Sequence, residues 1–172
     1  MLNSHRRQRT FILVLASLLA LFGATTQLAS ARQATPFHAV LVTINQPPAL
    51  CGEAHLCIAL DGNGVATHLG RVHETGQVEI DLTSQSGPCT NNVRTMLLTA
   101  ANGDQLSLLI TGVNCDTGAT SGITGISHDT WVVTGGTGRF SGATGSGIET
   151  VYVNLPASTA FTYMSGTLSL SH

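Results

Sequence analysis

Between Phe37 and Leu170 the apolar residues come in short β-branched runs, each broken after a few positions by Gly, Asn, Asp or Pro. No stretch there sustains a 3.6-residue apolar period, so the pattern fits strands rather than a helical core. The runs cover residues 37–44, 57–60, 65–73, 77–82, 93–100, 105–111, 130–134, 148–153 and 161–170. They predict about eight strands with connections short enough for antiparallel neighbours. Asn102-Gly103 between two runs is the strongest hairpin signal, read as a tight type I′ turn. Asp61-Gly62-Asn63-Gly64 reads as a second, looser turn. So many short strands need their edges removed or protected, which points to a closed up-and-down barrel or a sandwich. The runs at the two ends of the domain are expected to pair and close the sheet.

The first 31 residues are read separately. Arg6, Arg7 and Arg9 precede the uncharged stretch FILVLASLLALF (11–22), and Ala29-Ser30-Ala31 comes after it. That order is the pattern of a secretory signal peptide cleaved after Ala31. Twelve helical residues span about 18 Å, too little for a hydrocarbon core about 30 Å thick, so no stable membrane insertion is expected after cleavage. Residues 32–172 then form a single domain, expected to be secreted. They carry four Arg against nine acids, a formal charge of −5. With no basic patch, nucleic acid is not an expected partner. The chain has no lysine, which excludes Schiff-base chemistry, pyridoxal phosphate attachment and a P-loop.

All four cysteines, Cys51, Cys57, Cys89 and Cys115, lie in the exported part and read as two disulfides. Three pairings exist. Cys51–Cys57 and Cys89–Cys115 are favoured, because each closes a segment that starts in a turn-rich stretch. No Cys-x-x-Cys or tight Cys/His cluster is present, so neither metal nor cofactor is expected.

Residues 135–147, GGTGRFSGATGSG, carry six glycines around an Arg-Phe pair. The spacing of Gly136, Gly138 and Gly142 is not that of a dinucleotide loop, and the residues after Gly147 head into a strand rather than a helix. The reading is a turn at 135–138, an extended Arg139-Phe140-Ser141, and a bend through Gly142 to Gly147. This stretch resembles the signature of a group of small secreted bacterial β proteins, together with ATHLGRV (66–72), TAANGDQLSL (99–108) and SGTLSL (165–170). That group is similar to the allene oxide cyclase and dirigent barrels, and dirigent proteins carry a comparable Gly-Gly-Thr-Gly-x-Phe stretch. The resemblance covers residues from about 57 to 170. It implies an eight-stranded antiparallel barrel and a tendency to form homo-oligomers. It transfers no catalytic residue.

Asp116-Thr117-Gly118-Ala119 has the look of an aspartic-protease turn, but that chemistry needs two such Asp side by side, and a plain turn is the better reading. His68 and His73 are read in one strand, an odd number apart, so they face opposite sides and do not share a metal. With so few charges, Arg71 or Arg139 is expected to pair with Asp104 near a barrel mouth. Arg71, Asp104, Trp131, Arg139 and Tyr152 are the candidate ligand-contacting residues. Three functions remain: a secreted barrel that binds a small apolar or amphipathic ligand, a cavity isomerase or cyclase, and an extracellular structural or adhesive module. The absence of a fixed repeat period counts against the third.

Overall fold

In a computed structural model of the chain, which describes residues 33–171, nine strands form one antiparallel sheet that closes on itself. They are β1 (Thr35–Asn45), β2 (Ala49–Gly52), β3 (His55–Ala66), β4 (Gly70–Ser86), β5 (Cys89–Ala100), β6 (Gln105–Asp116), β7 (Gly125–Gly136), β8 (Thr144–Asn154) and β9 (Thr159–Ser169). The expected leader and its cleavage point at Ala31 lie outside the described residues.

From β2 to β9 each strand pairs with the next, and β9 returns to pair with β1. β1 and β2 lie along the same edge of β3: β1 pairs with residues 60–66 and β2 with residues 55–57. Pro47 and Pro48 separate them, because proline has no N–H to give to a ladder. β1 and β2 therefore make one broken stave, and the nine strands build the expected eight-stranded barrel. Closure leaves no long free edge.

Side chains alternate along each strand. In β1, Phe37, Ala39, Leu41 and Thr43 are buried, while Val40, Val42 and Ile44 are exposed. One half of the interior is packed with apolar side chains. Trp131 sits at its centre, edge-on to Phe37 with ring centroids 5.2 Å apart, and shares this core with Leu41, Leu98, Leu108, Ile110 and Met164. Its indole Nε1 donates to the Ile148 carbonyl at 3.1 Å, so the ring is buried without an unmet donor. The indole fits because the strands beside it present glycine. A Cβ on Gly147 would lie 2.7 Å from the indole, and one on Gly166 2.6 Å.

The glycine-rich stretch closes this packed end. Residues 138–140 form a 3-10 turn, not the expected extended segment, and it buries Phe140 completely. Gly138 takes φ +57°, and a Cβ there would run into the Asp104 carboxylate, so both conformation and space call for glycine. Arg139 lies over the Phe140 ring, 5.2 Å from its centroid, and its Nε is 3.1 Å from Asp104 Oδ2.

Several local expectations are corrected. Asp61-Gly62-Asn63-Gly64 is no turn but the middle of β3, paired with β1 on one side and β4 on the other. Its glycines face inward because the interior leaves no room there: a Cβ on Gly62 would lie 2.8 Å from Glu74 Oε2. Inward glycines alternating with Asp and Asn imitate a turn sequence. The expected strand over 65–73 is broken at 67–69, where His68 takes φ +67°. The opposite-face argument for His68 and His73 therefore lapses. His68 sits in the turn against Thr35 Oγ1 (3.1 Å), while His73 is exposed on β4 against Asp61 Oδ2 (3.2 Å). The gap expected before residue 77 is absent, since β4 runs unbroken for 17 residues. The Asn102-Gly103 hairpin is present, but only Gly103 has positive φ, and Ala100 pairs with Asp104 around a three-residue loop. That is a turn ending in a left-handed glycine, not type I′.

Candidate functional site

The other half of the barrel is not filled. Where the packed end has Leu, Met and Trp, the inward positions nearer the opposite rim read Asn92 and Arg94 on β5, Gly112 and Asn114 on β6, and Ser127 and Asp129 on β7. A cavity of about 290 Å³ results. Ile58, Leu60, Val78, Ile80, Val151 and Val153 supply its apolar walls. Pro88, Asp116 and Leu155, all exposed, stand at its rim. Thr43, Asn92, Arg94, Ser127 and Asp129 are buried and form its floor.

Polar groups gather where cavity meets packed core. The Arg94 guanidinium donates from Nη2 to Glu149 Oε1, and both side chains are buried. Glu74 is fully buried and accepts a 2.6 Å hydrogen bond from the Thr43 hydroxyl. Asp129 Oδ1 accepts from the Ser127 hydroxyl (2.7 Å) and from Asn92 Nδ2 (3.2 Å). Burial pushes the Arg94 guanidinium down from its ordinary pKa, and the negative charges of Glu74 and Asp129 push it back up. Among the described residues, four buried side-chain polar atoms have no hydrogen-bond partner: Glu74 Oε1, Arg94 Nε, Glu149 Oε2 and Thr162 Oγ1. The belt thus holds three acids around one guanidinium, with acceptor capacity to spare. Backbone space is made for it at Gly112, where a Cβ would overlap the Asp129 carboxylate.

Both disulfides brace this end. Cys89 and Cys115 are directly opposite in the β5–β6 ladder, and Cys51 on β2 reaches Cys57 on β3. These are the two favoured pairings. Rim residues Pro88 and Asp116 directly adjoin the Cys89–Cys115 bridge. The Asp116 turn is the plain one expected, its carboxylate accepting from the Gly118 N–H at 2.7 Å.

The five residues expected to contact a ligand lie elsewhere. Trp131 is inside the barrel but within the packed half. Arg139 and Asp104 form their ion pair at the packed end. Arg71 is exposed on β4. Tyr152 is on the outer face, edge-on to Tyr163 at 6.0 Å. None of the five lines the cavity. The residues that do line its floor were overlooked because Asn92, Arg94, Ser127 and Asp129 read singly as ordinary polar positions. The available signal was period two: each lies on the same face as the apolar residues further along its strand, Met96 and Leu98 on β5 and Trp131 on β7. Among the described residues no group of His, Cys, Asp and Glu is placed to hold a metal ion.

No protein-family model and no curated protein matches the chain. The solved structures that share its architecture include two dirigent proteins. The pterocarpan synthase dirigent protein GePTS1 superposes with a TM-score of 0.52 at 16% identity, over 81% of this chain and 92% of that one. The pterocarpan synthase dirigent protein PsPTS1 gives 0.51 at 16% identity, over 81% of this chain and 97% of that one. At such identity the likeness is one of fold: the chain is built as a dirigent-like, eight-stranded antiparallel barrel.

Proposed function

We propose that this protein is an exported barrel that binds one small amphipathic molecule in the half-open end of its interior. The observation that carries this reading is the unfilled cavity itself, with aliphatic walls and a buried polar floor above a sealed core. Apolar surface of that kind favours a hydrocarbon body, and a few fixed polar groups orient its head. Two disulfides at the cavity end suit an oxidising compartment, in keeping with the leader-like sequence of residues 1–31. Calorimetric titration of the purified protein with benzyl alcohol is expected to show one saturable site. Ala160 is buried in the cavity wall, so Ala160→Trp should fill the space and abolish that site while the β-type circular dichroism persists. Heat that does not saturate, or that survives the filling, would refute the reading.

A second reading is catalysis in the same cavity, of the isomerase or cyclase kind. The two structural neighbours are named as pterocarpan synthases, and Asp129, a buried acid that lines the cavity, is a group able to move a proton there. Turnover of a bound neutral compound that is lost in Asp129→Asn, with binding kept, would favour it over binding alone.

A further inference from the structure

The belt beneath the cavity is unbalanced in charge, and the imbalance says which head group it takes. Arg94 is the only Lys or Arg side chain lining the cavity among the described residues, and it is already engaged by Glu149, with Glu74 and Asp129 close enough to act on it electrostatically. Three carboxyl groups thus surround one guanidinium, and Asp116 adds a further acid at the rim. Among the described residues, the charged side chains of the belt leave two acceptors unpartnered, one oxygen each of Glu74 and Glu149, and one donor, Arg94 Nε. Neither oxygen reaches the cavity, so those two acids bear on a ligand only through space, whereas Asp129, also buried, lines the cavity and can accept directly.

Resting on the cavity reading above, we infer that the preferred ligand is a small hydrophobic amine, bound as its ammonium form with the nitrogen on the Asp129 side of the floor and the hydrocarbon among Ile58, Val78, Ile80 and Val151. Asp129 lines the cavity, whereas Glu74 and Glu149 stand behind Thr43 and Arg94 and act through the field they set up. An ammonium group brings up to three donors and one positive charge to a belt that holds three carboxyl groups and a single guanidinium. A carboxylate of the same size would add a fourth negative group to a water-poor belt, which the site rejects by repulsion rather than by shape. A neutral alcohol fits the walls but supplies a single donor and no charge.

The test is a matched series on the purified protein: benzylamine, benzyl alcohol and benzoate, each titrated at pH 7 by calorimetry. Benzylamine should bind at least about tenfold tighter than the alcohol, since hydrogen bonds to charged groups exceed neutral ones by that order. Benzoate should bind weakest of the three. In Asp129→Asn the amide oxygen can still accept from Ser127 and Asn92, so the belt keeps its shape, and the amine preference should fall to within about threefold of the alcohol. An alcohol or benzoate that matches the amine overturns this inference and leaves the cavity reading standing. No binding by any of the three overturns both. An amine preference untouched by Asp129→Asn places the ammonium elsewhere and overturns the assignment. The series in the unmutated protein decides the ligand class even if that variant fails to fold.

Discussion

The two ends of this barrel are made from the same eight staves and held together in different ways. At one end the inward side chains are Trp131, Phe37, Leu108 and Phe140, packed to exclude space, and no disulfide is present. At the other end the inward side chains are short, polar or charged, a cavity opens, and both disulfides are found. An unfilled interior gives up dispersion contacts and apolar burial. The cavity end recovers stability by covalent restraint of the unfolded chain. The difference separates two roles within one barrel: one end is filled and pins the fold, while the other leaves the space that the proposed ligand would occupy.

That contrast can be broken most severely at its packed side. Trp131→Ala removes the central plate that lies against Gly147 and Gly166 and should cost about 3–5 kcal/mol in chemical denaturation. At the junction, Glu149→Ala leaves the buried Arg94 without its partner and should cost a similar 3–5 kcal/mol or so. The double variant Arg94→Met with Glu149→Leu should recover most of that loss, because the charge that needs a partner has gone. A double variant as unstable as the single one would show that the belt is structural rather than a charge held for use. On the cavity side, the Cys89–Cys115 bridge joins residues 26 apart, and removing it should cost about 3.5 kcal/mol. The Cys51–Cys57 bridge joins residues only 6 apart and should cost about 2 kcal/mol when removed, both read from urea midpoints. Smallest is Arg139→Ala. Its side chain is 48% exposed, so loss of the Asp104 pair should shift stability by less than about 1 kcal/mol.

The architecture was legible because short β-branched runs, broken by Gly, Asn, Asp and Pro, recur along the chain. The runs over 37–44 and 161–170, expected to pair, are β1 and β9, and their pairing is what closes the sheet. Cysteine position also carried through, since Cys89 and Cys115 sit at facing ends of hairpin strands. What misled was glycine. In Asp61-Gly62-Asn63-Gly64 it serves as a missing side chain inside a strand, and at Gly138 it serves as a left-handed hinge. Local composition is similar in both cases, and only the partner across the barrel tells them apart: Glu74 for Gly62, Asp104 for Gly138. The site was hidden for a related reason. Arg94, Asp129 and Glu149 lie far apart in sequence and meet only through the closed topology, so no short motif records them.

The measurement that bears most directly on the difference between the two ends is methyl-resolved NMR of the protein during titration with a neutral probe such as cyclohexanol. Methyl resonances of Ile58, Val78, Ile80, Val151 and Val153 should shift together and saturate, while those of Leu98, Leu106, Leu108 and Ile110 stay in place. Shifts spread evenly over both sets, or confined to outer-face residues such as Val132 and Ile148, would contradict a barrel with one sealed end and one receptive end.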